Sequence, residues 1–196
     1  MESQELLESY LRQLHLPTFL QNYQAFAQDA ARGNMSNERF LLALCEAEVL
    51  QRDAKRIAAA VAYARVPIFK DLASFDFSLI QGVTKARVLE LMQGGYMTQA
   101  ETVILIGIPG LGKSHIATVL ALAACQQGKR VRFWGTAKLV EALETARKDL
   151  RLSKFLASLA KHDLIVLDEF GFLPFSPDGS QLLFQVCSPR PANYRP

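Results

Sequence analysis

A glycine-rich turn between an apolar segment and a helical segment constrains this chain more than any other feature. The stretch Thr102–Ser114, TVILIGIPGLGKS, matches the phosphate-binding pattern G-x-x-x-x-G-K-[ST] without exception. Glycines in such a turn let successive backbone N–H groups face one anion. The following segment, HIATVLALAACQQ, reads as a helix whose N-terminus attracts phosphate. The order of strand, loop and helix favours a P-loop over a glycine turn that matches by chance.

The residue types of the loop suit the binding of a nucleoside triphosphate. Lys113 can reach the β- and γ-phosphates, and the Ser114 hydroxyl can ligate Mg²⁺. The candidate nucleotide-binding residues form one continuous run: Gly107, Ile108, Pro109, Gly110, Leu111, Gly112, Lys113, Ser114 and His115. The sequence therefore predicts a nucleotide and Mg²⁺ as cofactors.

A second motif supplies two acids after an apolar run. Leu164–Leu167, LIVL, is typical of a strand buried on both faces, and it ends in Asp168 and Glu169. Taken alone this could be a surface turn, but after a P-loop it predicts that Asp168 holds Mg²⁺ through water. Glu169 would polarise the attacking water, so Lys113 and Glu169 are the candidate catalytic residues. Two adjacent acids favour ATP hydrolysis, and the chain has no guanine-reading motif.

From the P-loop onward, strand and helix patterns alternate, which is typical of an α/β domain with a parallel sheet and flanking helices. Strands are predicted at Thr102–Ile106 and Val131–Trp134. Thr136 and Ser153 are predicted to cap two helices, and Ser176 is predicted to cap the last.

The N-terminal part of the chain is helical in pattern. Ser36 is a predicted N-cap, and a long helical region then ends before Pro67. The polar face of this region is basic, with the cations Arg52, Lys55, Arg56 and Arg65, and Lys70 just beyond. Such a face is either ordinary solvated surface or a phosphate-contacting face for DNA, and the residues alone leave both interpretations open.

The connection Asp71–Ser78 carries two aromatic residues, Phe75 and Phe77. They could line an adenine pocket, or they could pack between domains.

Composition narrows the class of protein only modestly. Of 196 residues 50% are hydrophobic, which allows a sizeable core, and the net charge of +3 permits contact with nucleic acid without requiring it. The N-terminus lacks the apolar core of a signal peptide, and the most apolar helix, Ile116–Cys125, is too short to cross a bilayer. We expect a cytoplasmic protein without a membrane partner, whose three cysteines are free thiols.

These motifs together resemble the IstB-type helper ATPases of bacterial insertion sequences, which are AAA+ relatives of the DnaC helicase loaders and the DnaA initiator. The resemblance covers about residues 6–187 and is carried by three segments: GIPGLGKSHIA, VRFWGTAKLVEAL and LIVLDEFGFLPFSPDGSQLLFQV. It implies a P-loop AAA+ sheet preceded by a small all-helical domain. The implied domains are a helical, DNA-binding domain at 1–70, a connection at 71–100, an ATPase domain at 101–188 and an unmatched tail at 189–196.

The resemblance implies an ATP-binding helper of DNA transposition that binds double-stranded DNA, assists a cognate transposase and self-assembles. It carries phosphate and Mg²⁺ binding to the P-loop residues, and metal and water contacts to Asp168 and Glu169. Ile108 and Leu111 replace residues common in the family, at positions that contribute backbone groups. Two alternatives are a helicase-loader-like ATPase and a non-catalytic fragment that binds nucleotide or DNA.

The chain departs from the family at its C-terminal end. Where the family continues into a further strand, this chain has SPRPANYRP, so we expect it to be truncated. In the AAA+ sheet that strand lies between the P-loop strand and the strand ending in the acids. Each backbone group left unpaired and buried costs about 1–3 kcal/mol, against about 5–15 kcal/mol for a whole domain. We therefore expect marginal stability, and ATP binding with little or no hydrolysis.

Overall fold

A computed structural model describes residues 2–67, 72–80, 82–170 and 176–188. The chain divides into two compact units, one ending at Ala59 and the other beginning at Ala60. Lys70, the segment 171–175 and the tail 189–196 figure in the sequence predictions but lie outside the described residues.

The first unit is helical, as predicted. Its elements are α1 (Glu2–Gln13), α2 (Pro17–Arg32) and the greater part of α3 (Asn37–Ala64). Ser36 caps α3, since its Oγ accepts a hydrogen bond from the Arg39 amide at 3.4 Å. The first turn of α2 is tied to α3 because the Thr18 amide donates to Glu48 Oε2 at 2.9 Å.

The second unit contains a parallel pair of strands with helices on both faces. Its helices are α4 (Lys85–Met92), α5 (Gly95–Thr98), α6 (Lys113–Gln126), α7 (Thr136–Lys148), α8 (Leu152–Leu159) and α9 (Pro177–Cys187). Strand β1 (Val131–Gly135) pairs in parallel with β2 (Leu164–Asp168), in a register that places Gly135 beside Asp168. The predicted fold class, a P-loop α/β domain preceded by a helical unit, is confirmed, with two strands in the described sheet.

The two faces of this strand pair contact different helices. Val131 and Phe133 pack with buried residues of α6, whereas Trp134, Ile165 and Leu167 pack with buried residues of α7, α8 and α9. A strand covered on both sides has no solvent face to mark with polar residues, which explains the continuous apolar run before Asp168. The carboxyl ends of the strands therefore meet at one edge, where α7 begins.

The predicted strand at Thr102–Ile106 is wrong. The segment is irregular, and no backbone hydrogen bond to it occurs among the described residues. Its side chains still alternate: Leu105 packs on the core, whereas Ile104 and Ile106 are 73% and 91% exposed. Alternation determines which side chains reach the core, but a strand also needs a neighbouring backbone, and the described part of β2 pairs only with β1.

Two smaller predictions have different outcomes. Ser153 does not cap α8, because the helix begins one residue earlier, at Leu152, with Arg151 as its N-cap. Ser176 does cap α9, since its Oγ accepts a hydrogen bond from the Gly179 amide at 2.9 Å. The difference is local: Ser176 is followed by Pro177, which cannot donate a hydrogen bond and starts a helix readily, whereas Ser153 lies inside an apolar helical run.

The exposure of Ile104 and Ile106 leads to a stability prediction. Because neither side chain is buried, Ile104→Lys with Ile106→Lys should change the free energy of unfolding by less than about 0.5 kcal/mol. Leu105→Lys, which places a charge against the core, should lower it by about 1–3 kcal/mol. Urea unfolding of the three proteins measures both effects. An equal loss in the double variant and in Leu105→Lys would mean that Thr102–Ile106 is buried in a sheet.

Candidate nucleotide-binding site

The predicted P-loop is an exposed loop that ends where α6 begins. Gly107–Gly110 are exposed, and Lys113 is the first residue of the helix. Gly110 and Gly112 have φ angles of +89° and +81°, a conformation that residues with a Cβ adopt only under strain. The first amides of α6 have no partner within the helix, so the loop and the helix terminus together offer donors to an anion.

Phe75 packs directly against this loop. It is buried with Val88, Ile116 and Leu120, and its ring meets that of His115 edge-on, with centroids 5.0 Å apart. A Cβ at Gly112 would collide with the Phe75 ring. Phe75 therefore packs within the core of the second unit, and both interpretations from the sequence, an adenine pocket and packing between domains, stay predictions.

Phe77 is half-buried and packs edge-on against Phe75, with ring centroids 4.7 Å apart. Phe77 thus packs against the same cluster as Phe75.

The ammonium group of Lys113 is held by the loop itself. Its Nζ donates hydrogen bonds to the carbonyl oxygens of Gly107 and Ile108, at 2.8 Å each. The cation therefore lies against the loop that it is predicted to serve, and a phosphate would have to replace these two acceptors.

The Ser114 hydroxyl and the Asp168 carboxylate meet although they are 54 residues apart. Ser114 Oγ donates to Asp168 Oδ1 at 2.9 Å, which joins α6 to the end of β2. Hydroxyl and carboxylate oxygens are ligands that Mg²⁺ accepts, and Mg²⁺ characteristically keeps several waters and substrate phosphates in its shell. The described residues contain no group of three or more His, Cys, Asp or Glu suited to a metal. The donor pair therefore fits a metal ion that arrives with a nucleotide.

Glu169 follows Asp168 in an unusual backbone conformation. Its φ is +58°, which is uncommon for a residue with a side chain, and its amide donates to Asp168 Oδ1 at 2.9 Å. Its side chain is exposed. The structure thus places both acids at the edge of the sheet nearest the loop, and the catalytic role of Glu169 stays a prediction.

Thr136 has a different role from the one predicted. Gly135 occupies the N-cap position of α7, so no side chain caps the helix, and Thr136 is the first helical residue. Its Oγ1 donates to the carbonyl oxygen of Asp168 at 2.6 Å, and the residue is fully buried. The sequence alone did not indicate this contact, because it depends on the register of the two parallel strands, which places the residue after β1 beside the end of β2.

The basic face of α3 is partly neutralised by its own acids. Arg52 pairs with Glu48 at 2.7 Å, and Arg56 pairs with Asp53 at 3.2 Å. Burial raises the pKa of Glu48, but hydrogen bonds from Arg52 and Thr18 outweigh it and hold the pKa below its ordinary value. Glu48 is therefore ionised at neutral pH and keeps Arg52 paired. These pairs fit the solvated interpretation of Arg52 and Arg56, and DNA contact stays a prediction.

A groove of about 570 Å³ in the first unit places one further cation, Arg12, near this face. Arg12, Arg52 and Lys55 line it, together with His15. Arg12 is itself paired with Glu8 at 3.1 Å.

No described helix combines the length and apolar character needed to span a membrane.

The parallel strands, the glycine loop at the start of α6 and the Ser114–Asp168 pair define a P-loop nucleotide-binding protein. Comparison with known families narrows this class. The chain belongs to the IstB-like ATP binding protein family, whose family model matches residues 9–193. The resemblance noted from the motifs is thereby confirmed.

Curated relatives of the chain come from insertion sequences. An ATP-binding protein of insertion sequence IS5376 from Geobacillus stearothermophilus is 31% identical over 95% of this chain and 74% of its own length. An insertion sequence ATP-binding protein of Sinorhizobium fredii is 36% identical over 92% of this chain and 61% of its own. An ATP-binding protein of IS21 from Pseudomonas aeruginosa is 30% identical over 97% and 71%. The match thus spans about three fifths to three quarters of these relatives.

The contact between Phe75 and Gly112 leads to a second prediction. Gly112→Ala should lower the free energy of unfolding by more than Gly110→Ala, although both glycines have positive φ, because only Gly112 also faces a ring. Backbone strain alone accounts for about 1–3 kcal/mol in each variant. Urea unfolding measures the difference. Equal losses would show that Phe75 does not pack on the loop.

Proposed function

We propose that this protein binds ATP with Mg²⁺ through Gly107–Ser114 and Asp168, and that it acts as an ATP-dependent helper in DNA transposition. The observation that carries the nucleotide site is the 2.9 Å contact between Ser114 Oγ and Asp168 Oδ1. It brings together the two motifs that the sequence separates. Membership of the IstB-like ATP binding family supports ATP as the nucleotide.

In this proposal the chain's own residues divide the work of binding. The amides of the loop and of the α6 N-terminus, with the Lys113 ammonium, bind the phosphates. Ser114 and Asp168 hold Mg²⁺, which neutralises phosphate charge when it is bound. Glu169 orients a water molecule and accepts its proton.

We expect hydrolysis to be slow relative to binding. The segment Thr102–Ile106, which carries the loop, has no backbone pairing with the described part of β2, which carries the acids. The loop and Glu169 are therefore held in position by side-chain contacts instead of a shared ladder. Catalysis depends on sub-ångström placement of the reacting groups more than binding does.

Substitution of the two candidate catalytic residues tests this site. Lys113→Ala should weaken ATP binding by about 10-fold or more, because a charge-assisted hydrogen bond is lost. Glu169→Gln should bind ATP normally and lose any turnover. Equilibrium titration with a fluorescent ATP analogue and a phosphate-release assay measure the two effects, with Lys148→Ala, an exposed lysine at the end of α7, as the matched control.

The outcomes separate the alternatives. Tight ATP binding by Lys113→Ala would overturn the nucleotide site. Normal binding without turnover, in both the unsubstituted protein and Glu169→Gln, would favour a non-catalytic nucleotide-binding protein.

The proposed helper role in transposition rests on the names of the chain's relatives. The three relatives described above are named as ATP-binding proteins of insertion sequences, which favours transposition over helicase loading. We propose that double-stranded DNA and a cognate transposase are the partners and that copies of the chain assemble on DNA. In the first unit, Arg52, Lys55 and Arg56 are the candidate phosphate contacts.

A pair of matched arginines tests the DNA face. Arg56 on α3 and Arg32 on α2 are both exposed, and each pairs with an aspartate three residues earlier. Arg56→Ala should reduce the salt dependence of DNA binding by about one unit of slope, whereas Arg32→Ala should leave it unchanged. Fluorescence anisotropy with a duplex at several salt concentrations measures the slope. Equal slopes in the two variants would remove α3 from the DNA interface.

A further inference from the structure

We propose that Thr136 is a positioning residue for the metal site: its hydroxyl holds the backbone of Asp168 so that the carboxylate is oriented toward Ser114 and the proposed Mg²⁺ site. This inference rests on the proposed binding of ATP with Mg²⁺. Thr136 is fully buried, and its Oγ1 donates to the Asp168 carbonyl at 2.6 Å.

The parallel register explains how Thr136 reaches Asp168. Gly135, the last residue of β1, lies beside Asp168, the last residue of β2. The next residue along the first strand, Thr136, starts α7, and that helix is anchored by the fully buried Leu139 and Leu143. A hydroxyl in the first turn of a firmly packed helix thus lies against the carbonyl of the acid.

Asp168 is consequently held on both its backbone and its side chain. Thr136 holds the carbonyl oxygen, while Ser114 Oγ and the Glu169 amide both donate to Oδ1. The carbonyl belongs to the peptide that leads into Glu169, whose φ is +58°. A strained conformation of this kind persists only where the surroundings hold it, and Thr136 supplies a hydrogen bond at that point.

The same helix also holds the chain beyond the acids. Glu144 Oε1 accepts a hydrogen bond from Ser176 Oγ at 2.7 Å, and Arg147 pairs with Asp178 at 2.7 Å. Gly179 lies so close to α7 that a Cβ there would collide with Val140. Helix α7 therefore contacts the chain at Asp168 and again at the start of α9, and the Thr136 contact is the one at the proposed metal site.

Two substitutions at position 136 separate the effect of side-chain shape from the effect of the hydrogen bond. Valine preserves the volume and branching of threonine but cannot donate to the Asp168 carbonyl. Serine donates but lacks the methyl group. If Thr136 serves only packing, valine should replace it. If Thr136 positions Asp168 through its hydrogen bond, serine should replace it and valine should not.

The experiment measures ATP affinity with Mg²⁺ and with EDTA for the full chain and three variants. We expect Thr136→Val to weaken binding about 10-fold in Mg²⁺ and to leave binding in EDTA unchanged, as for the loss of an outer-shell hydrogen bond to a metal ligand. Thr136→Ser should bind within about twofold of the unsubstituted protein in both conditions. Thr145→Val, at an exposed position of the same helix, is the matched control and should bind normally.

Each other outcome overturns the inference. If Thr136→Val binds normally in Mg²⁺, the hydroxyl does not position the ligand. If it weakens binding equally in Mg²⁺ and EDTA, or if serine fails to restore binding, Thr136 serves the fold instead. Failure of the proposed function looks different, because the unsubstituted protein itself would then show no ATP binding that depends on Lys113 and is strengthened by Mg²⁺.

Discussion

The contact between the Ser114 hydroxyl and the Asp168 carboxylate is the interaction on which the candidate site depends. It joins the start of α6 to the end of β2 at 2.9 Å. The packing of α6 against both strands makes this meeting possible, since its buried residues lie in one core with Val131 and Phe133 of β1, and Leu164 and Val166 of β2 pack against that core. Because these residues of α6 are buried against the strands, the helix is fixed over the sheet with the Ser114 hydroxyl next to the Asp168 carboxylate.

The loop is supported by side-chain packing where a sheet would ordinarily support it. Thr102–Ile106 has no backbone partner among the described residues, yet Leu105 packs into the cluster of Phe75, Val88, Ile116 and Leu120. Phe75 in turn occupies the space that a side chain at Gly112 would need. This packing holds the glycine turn against the core, but no shared ladder aligns Thr102–Ile106 with the described part of β2, which leads into Glu169.

Much of the fold was predictable because its signals are local. The apolar runs, the P-loop spacing and the Ser176 cap each depend on a few neighbouring residues. The structure has helices and strands at most of the positions that these signals predicted. The prediction of a strand at Thr102–Ile106 failed because the alternation of side chains indicates which of them face a core, but it does not indicate whether a neighbouring backbone is there to pair with. Ser153 failed as a cap because it lies inside an apolar helical run, so α8 begins at Leu152 and Arg151 occupies the N-cap position without a capping side-chain bond.

The sequence by itself determined the chemical parts of the candidate site: the glycine loop, Lys113, Ser114, and the two acids at the end of an apolar run. These parts can be recognised in the sequence because phosphate and metal binding require particular residue types at fixed spacing. Only the tertiary structure decided what holds them. The partner of Thr136 lies 32 residues away, the ring over Gly112 comes from Phe75, and Arg52 is neutralised by a buried glutamate. Such contacts depend on how separate helices pack, which no short pattern encodes.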